Sequence, residues 1–305
     1  MAIEQFGICS EPNLHGYYLL FNVMDDRDDE VRAIVASLPE VFDRFGDRFS
    51  ESNVNCVVAI GASYWDDFFP QARPKGLAPF LGMENEDRIA PAVGYDIYVE
   101  VRSDRFDVNH IIASKVCEMF GDSVELVEQT RAFRFLDGRD LTGFVDGTEN
   151  PQGRHRREVA LVKADYDEQF QGGSYLHIQR YRHNLALWGT LKQKQQEDIF
   201  ARTKMANVEY KSEEKPPTAH IKRVNLKDEN GDSIEILRQS MPYGDMKTQG
   251  LFFVSYCREP EPFMQMLKAM IYADGHGHFD HMLKYTQAET GAAFFAPSRT
   301  LLASL

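Results

Sequence analysis

The stretch Leu141–Gly153, LTGFVDGTENPQG, puts an acid at Asp146 straight after two apolar residues and between Gly143 and Gly147. Turn residues are ordinary in a loop, but an acid directly behind Phe144 and Val145 needs a purpose and partners. Arg238, in EILRQSMPYG, lies in an apolar alternating run where an unpaired guanidinium would be costly. It either pairs with a buried carboxylate or points at whatever its face of the strand covers, and Ser240, two residues on, shares that face. Nine histidines can be weighed singly. His15, His110 and His155 sit in loops or on polar faces. His177 and His183 flank a strand-to-helix junction and read as packing or capping residues. His276, His278 and His281 have the spacing i, i+2, i+5, which is not that of a helical zinc pair. His220 differs: it follows the rigid Pro216-Pro217 and the small Thr218-Ala219, and it precedes IKRVNL, which has strand character. An imidazole held there would be fixed in direction, as a ligand or as a loop cap.

The elements that must position these groups follow a repeated grammar. GYYLLFNV (16–23) reads as a buried strand. An acid-led helix follows, with Val31, Ile34, Val35, Leu38, Val41 and Phe42 at helical spacing. NVNCVVAIGASYW is strand-like, GYDIYVEVRSD alternates as a half-buried strand does, and VNHIIASKVCEMFGDSVELVEQ is an amphipathic helix running into a strand. The first half therefore reads β-α-β-β-α-β, the ferredoxin-like order. In the second half GSYLHIQRYRHNL is a strand, WGTLKQKQQEDIFARTKM a helix, SIEILRQSMPYG and GLFFVSYCRE strands, EPFMQMLKAMIYA and HFDHMLKYT helices, and GAAFFAPS a last strand. The duplication is one of pattern, without a residue-level repeat. The expected class is α+β: two ferredoxin-like halves, 1–140 and 141–305, with antiparallel sheets packed together and helices outside. The segment around 137–157 joins them, and YKSEEKPPTAH (210–220) is a polar loop.

Bulk composition narrows the partners. A net charge of -13 opposes attraction to nucleic acid or an anionic membrane surface. No apolar run approaches the roughly 20 residues that span a bilayer. The four cysteines, Cys9, Cys56, Cys117 and Cys257, form no CxxC pattern and read as small buried hydrophobes. With no secretory signal, the expected location is the cytoplasm.

LTGFVDGTENP, GGSYLHIQRYRHNL, HIKRVNL, ILRQSMPYG, GLFFVSYCR and GAAFFAPS, in this order, resemble the dye-decolorizing peroxidase family, most closely its short bacterial type B branch. GFVDG fits that family's GxxDG motif. The resemblance covers most of the chain and implies two ferredoxin-like halves, the second carrying most of the pocket for one heme b per chain. It implies a peroxidase that reduces hydrogen peroxide through high-valent iron and oxidises a small aromatic reductant, such as a dye or phenol. Residue by residue, it implies Asp146 as the distal acid, Arg238 as the distal arginine, Ser240 as a nearby distal polar group and His220 as the proximal iron ligand. Asp280 would hydrogen-bond that ligand's other nitrogen, and Gly147, Thr148, Glu149 and Arg238 would lie against the cofactor. The chemistry suits these types: neutral imidazole ligates ferric heme, a carboxylate behind it strengthens the ligand, an acid shuttles a proton, and an arginine stabilises developing negative charge.

A heme carrier or iron-release protein would share the same pocket, although a distal Asp with Arg favours catalysis. A cofactor-free ferredoxin-like oligomerisation module would leave Arg238 without an explanation. Electrons could leave through surface aromatics such as Trp65 or Trp188, though packing also accounts for both. Some family members carry a tail that docks them in a protein nanocompartment. The ending PSRTLLASL has no such extension, so the expectation is a free cytoplasmic homo-oligomer, a dimer or larger.

Overall fold

The computed structural model describes residues 2–305. In the first half the strands are β1 (His15–Val23), β2 (Asn55–Gly61), the short pair β3 (Met83–Asn85) and β4 (Arg88–Ala90), β5 (Ile97–Ser103) and β6 (Val124–Phe133). The helices there are α1 (Phe6–Cys9), α2 (Asp28–Arg48), α3 (Trp65–Phe68) and α4 (Phe106–Phe120). The second half has strands β7 (Ser174–His183), β8 (Leu237–Arg238), β9 (Met241–Gly244), β10 (Gln249–Cys257) and β11 (Thr286–Ala296). Its helices are α5 (His155–Ala160), α6 (Leu185–Trp188), α7 (Gln193–Phe200), α8 (His220–Val224), α9 (Glu261–Ile271) and α10 (Arg299–Leu302).

The strand order is β7-β11-β2-β5-β1-β6-β9-β10-β8, and β7 also pairs with β10. Each half thus contributes a four-stranded antiparallel sheet, β6-β1-β5-β2 and β11-β7-β10-β9, both in ferredoxin-like order. The sheets join edge to edge through Phe294↔Gly61 and Phe295↔Ile60 on one side and Ala132↔Tyr243 on the other. Between them lies a core of residues from both: Tyr18, Leu20, Val57 and Tyr98 meet Ile178, Phe252, Val254 and Phe294. Tyr18 stacks on Phe252 with centroids 4.2 Å apart. β5 is buried on both faces rather than on the one its alternation suggests, because it lies between β2 and β1 with Ile97, Val99 and Val101 in one core and Tyr98 in the other.

Helices cover the outer faces. α2 starts with Asp28, Asp29 and Glu30, which suit its positive end, and buries Val31, Val35, Leu38 and Phe42 against the first sheet. α9 covers the second sheet with Phe263, Leu267 and Ile271, joined by Phe80 and Ala90 from the first half.

Several local expectations differ from the structure. IKRVNL is no strand: His220–Val224 form one helical turn that starts where Ala219 is extended. Its β-branched residues, Ile221 and Val224, face a cavity, and that demand outweighs their strand preference. The expected long helix through 188–205 is two short ones, with Gly189 ending α6 and Ala201, in the left-handed region, ending α7. SIEILRQSMPYG is split into β8 and β9. HFDHMLKYT holds only one 3-10 turn, His281–Lys284, and β11 begins earlier than expected, at Thr286. His177 lies inside β7 rather than at its end.

Candidate active site

The outer face of the second sheet, α8, α9 and the loops 140–149 and 233–238 enclose a cavity of about 360 Å³. Asp146, Gly147, Thr148, Glu149, His220 and Arg238 all line it. Much of the remaining wall is apolar: Leu251, Phe253, Phe263, Met266, Leu267 and Met270.

His220 opens α8 with its ring edge-on to Phe200, centroids 6.1 Å apart. Its Nδ1 lies 2.6 Å from Oδ2 of Asp280, which is fully buried. A carboxylate there accepts the Nδ1 proton, so the tautomer leaves the Nε2 lone pair available. Nε2 has no hydrogen-bond partner among the described residues. The other Asp280 oxygen accepts from the Met282 N–H at 2.9 Å, and the Asp280 N–H donates to the Met270 carbonyl. The His281 N–H donates to the Thr218 carbonyl, two residues before His220. The histidine and its acid, 60 residues apart, are therefore locked by both side chain and backbone.

Asp146 is held by a tight loop. Gly143 and Gly147 have φ of +88° and +75°, a region that favours glycine. Asp146 Oδ1 accepts from the Gly147 N–H at 2.7 Å and lies 3.7 Å from the Arg238 guanidinium. That separation is too long for a direct hydrogen bond and leaves both groups open toward a small ligand. Asp146 and Arg238 side chains are only about a quarter exposed.

The cavity does not take every expected residue in the same way. Ser240 is not in its wall; its hydroxyl accepts the Val254 N–H at 3.1 Å. Glu149 is paired with Arg202 at 2.6 Å, and the Thr148 hydroxyl accepts from Asn207 at 3.0 Å. The wall also holds residues that the sequence did not place there, His183, Gln179 and Tyr181 among them. His183 bridges Asp140 and Thr286, at 3.0 and 2.8 Å, and ties the Asp146 loop to the ends of β7 and β11. Burial pushes the Asp140 carboxyl up, but the His183 ring and the Thr142 donors outweigh it and hold it below its ordinary value. Gln179 and Tyr181 follow His177 at alternate positions of β7, the one signal that could have put them in the wall. Asn150, within TENP, bonds the backbone of Arg238. His177 packs as expected, buried between Phe80 and Phe263.

The cavity thus holds a carboxylate-backed imidazole at one wall and an Asp–Arg pair at another, on paired ferredoxin-like sheets. Residues 5–134 match the N-terminal and residues 137–301 the C-terminal part of the Dyp-type peroxidase family. The chain belongs to that family and is an oxidoreductase acting on peroxide. It is 33% identical over 283 residues to a dye-decolorizing peroxidase of Mycobacterium tuberculosis, covering 92% of this chain and 84% of that one. A dyp-type peroxidase protein from Shewanella oneidensis superimposes with a TM-score of 0.98 at 54% identity, covering 100% of this chain and 99% of that one. A variant of DypB from Rhodococcus jostii in complex with heme superimposes with a TM-score of 0.93 at 30% identity, covering 97% and 96%. No helix among the described residues is long and apolar enough to cross a membrane.

Proposed function

We propose that His220 would hold the iron of a heme in this cavity and that Asp146 and Arg238 handle the peroxide. The chain is a heme peroxidase, and its residues fit the cofactor. An apolar wall suits a porphyrin, and the imidazole presents an unpartnered nitrogen to the same space. Heme supplies the redox-active iron that passes electrons from a reductant to peroxide.

The protein's own groups do the rest. Asp280 accepts the Nδ1 proton, orients the ring and gives the imidazole anionic character. Asp146 takes a proton from one peroxide oxygen and delivers it to the departing one, directly or through a water. The Arg238 guanidinium faces the charge that develops as the O–O bond breaks. Ser240 stands beside this path rather than in it, since its hydroxyl is spent on Val254. Gly147, Thr148 and Glu149 form the cavity rim against the cofactor, with Glu149 and Thr148 braced by Arg202 and Asn207.

The reductant is a small aromatic molecule such as a phenol or dye. We place the division of the halves at 140/141; every cavity-lining residue falls after it or at Asp140. The four free cysteines accord with a reducing compartment, the cytoplasm. Exposed Leu126 and Val127 on β6 offer apolar surface for a homo-oligomer, which size-exclusion chromatography tests.

The observation that carries this reading is the His220–Asp280 pair facing the same cavity as Asp146 and Arg238. The test is the absorption spectrum of wild type and His220→Ala reconstituted with hemin, each then mixed with one equivalent of hydrogen peroxide. A sharp Soret band that shifts with peroxide in wild type and is altered in the variant is expected. Identical spectra in both would remove His220 as the ligand, and a featureless wild type would remove the heme.

A further inference from the structure

Arg238 sits on a strand of only two residues. On one side β8 pairs with β10, where the Gln239 N–H donates to the Val254 carbonyl at 2.9 Å. The peptide groups of Arg238 itself point the other way, where no strand of the described residues lies alongside. Asn150 fills that place. Its Nδ2 donates to the Arg238 carbonyl at 2.7 Å, and its Oδ1 accepts the Arg238 N–H at 2.8 Å. One carboxamide thus satisfies both polar groups of one residue, as a neighbouring strand would.

Asn150 also belongs to the loop that carries Asp146. Its N–H donates to the Gly147 carbonyl at 3.0 Å, and the Gly147 N–H in turn donates to Asp146 Oδ1 at 2.7 Å. A continuous set of hydrogen bonds runs from the Asp146 carboxylate through Gly147 and Asn150 to the backbone of Arg238. The far side of Arg238 is fixed independently, because the buried Gln239 amide donates to the carbonyls of Ile8 and Ser10. Pro151 restricts Asn150 toward extended conformations and so limits where its carboxamide can reach.

We infer that Asn150 is the positioning residue that sets the spacing between Asp146 and Arg238. It touches neither peroxide nor cofactor; it acts through the Arg238 backbone. The inference rests on the distal role given to Arg238 above.

The test uses fluoride, an anion that binds ferric heme and accepts hydrogen bonds from groups above the iron. Fluoride affinity is titrated spectrophotometrically for the hemin-loaded wild type, Asn150→Ala, Arg238→Ala and the double variant, with the melting temperature of each apo-protein alongside. Asn150→Ala should weaken fluoride about tenfold, the scale of one hydrogen bond to a charged group. The same change in the Arg238→Ala background should add nothing. A melting temperature that falls while fluoride affinity holds would make Asn150 merely structural and overturn the inference. An equal further loss in the Arg238→Ala background would overturn it too. If Arg238→Ala itself leaves fluoride affinity unchanged, the reading of Arg238 fails, a separate outcome. Asn150→Ser, neutral but too short to span both peptide groups, is the second variant should Asn150→Ala not take up hemin. Wild-type affinity in it counts against the inference, and a loss that needs Arg238 supports it.

Discussion

Asp146 and Arg238 face one another at 3.7 Å, a distance at which neither neutralises the other through a direct bond. On the reading proposed above, the two groups do different work, and their removal should be unequal. An Arg238→Ala variant loses the positive charge facing the departing oxygen, and its second-order reaction with peroxide should slow by about 10²–10³-fold. Asp146→Asn keeps the size of the side chain and loses the proton acceptor, which a water held by Arg238 can partly replace. Its loss should be smaller. Stopped-flow mixing of the ferric protein with peroxide measures both. An Asp146→Asn variant as fast as wild type would sink the proton role of Asp146 while leaving the heme in place. A slower Asp146→Asn than Arg238→Ala would reverse the ranking and make the carboxylate the principal group.

Among the elements, those with a long periodic pattern were legible and those built by distant contacts were not. β1, β5, β7 and β10 are runs of apolar and aromatic residues, and α2 and α9 carry clear apolar stripes, so the ferredoxin-like order could be read directly. The three-residue strands β3 and β4 have no period to read. α8 reads as a strand because Ile221 and Val224 are β-branched, whereas in the structure both line the cavity and the segment before them is tied to a distant one by the His281-to-Thr218 backbone bond. Asn150 was invisible because a side chain serves where a strand would. Asp146, Arg238 and His220 stand out by residue type and setting, but the roles proposed for them, and Asp280 altogether, come from the motif resemblance. The histidines of β7 read as packing or capping residues, and for His177 the packing has a consequence. Burial between Phe80 and Phe263 drives its pKa down to about 3, while Nε2 lacks a partner. The unfolded chain takes up a proton near pH 6.5 and the folded one does not. The stability contributed by this site is therefore full above about pH 6.5 and lost as pH falls toward 3, by up to about 1.4 kcal/mol per pH unit. His177→Phe keeps the aromatic stack and removes the titration. Urea unfolding of the apo-protein between pH 7 and 4 should show a shallower acid decline in the variant, and parallel declines would exclude His177 as the cause.

At the scale of the whole molecule, the two halves share one interior and cannot be treated as separate cores. Glu100 and Arg102, on β5 of the first half, form an ion pair with neither residue measurably exposed to solvent. Tyr98 donates to Glu100 at 2.8 Å from the same half, and Tyr256 donates to it at 2.6 Å from β10 of the second. Burial, and then the Glu100 charge, push both hydroxyls well above their ordinary pKa, so they remain donors. Arg102 also donates to Gln239 at 2.9 Å, next in sequence to Arg238. A charge pair in such a place stabilises little on balance, but losing one member strands the other in a medium that solvates it poorly. Arg102→Met should therefore cost about 3–5 kcal/mol. Replacing both, as Glu100→Leu with Arg102→Met, should recover part of that loss and not all, because Tyr98, Tyr256 and Gln239 are left without their partner. Calorimetric melting of the apo-proteins distinguishes a shared core from two independent ones. A shared core predicts one transition that moves down as a unit in Arg102→Met. A variant in which only part of the heat moves, splitting the melt into an early first-half transition and an unshifted second, would mean that the halves unfold separately and that the network between the sheets does not couple them.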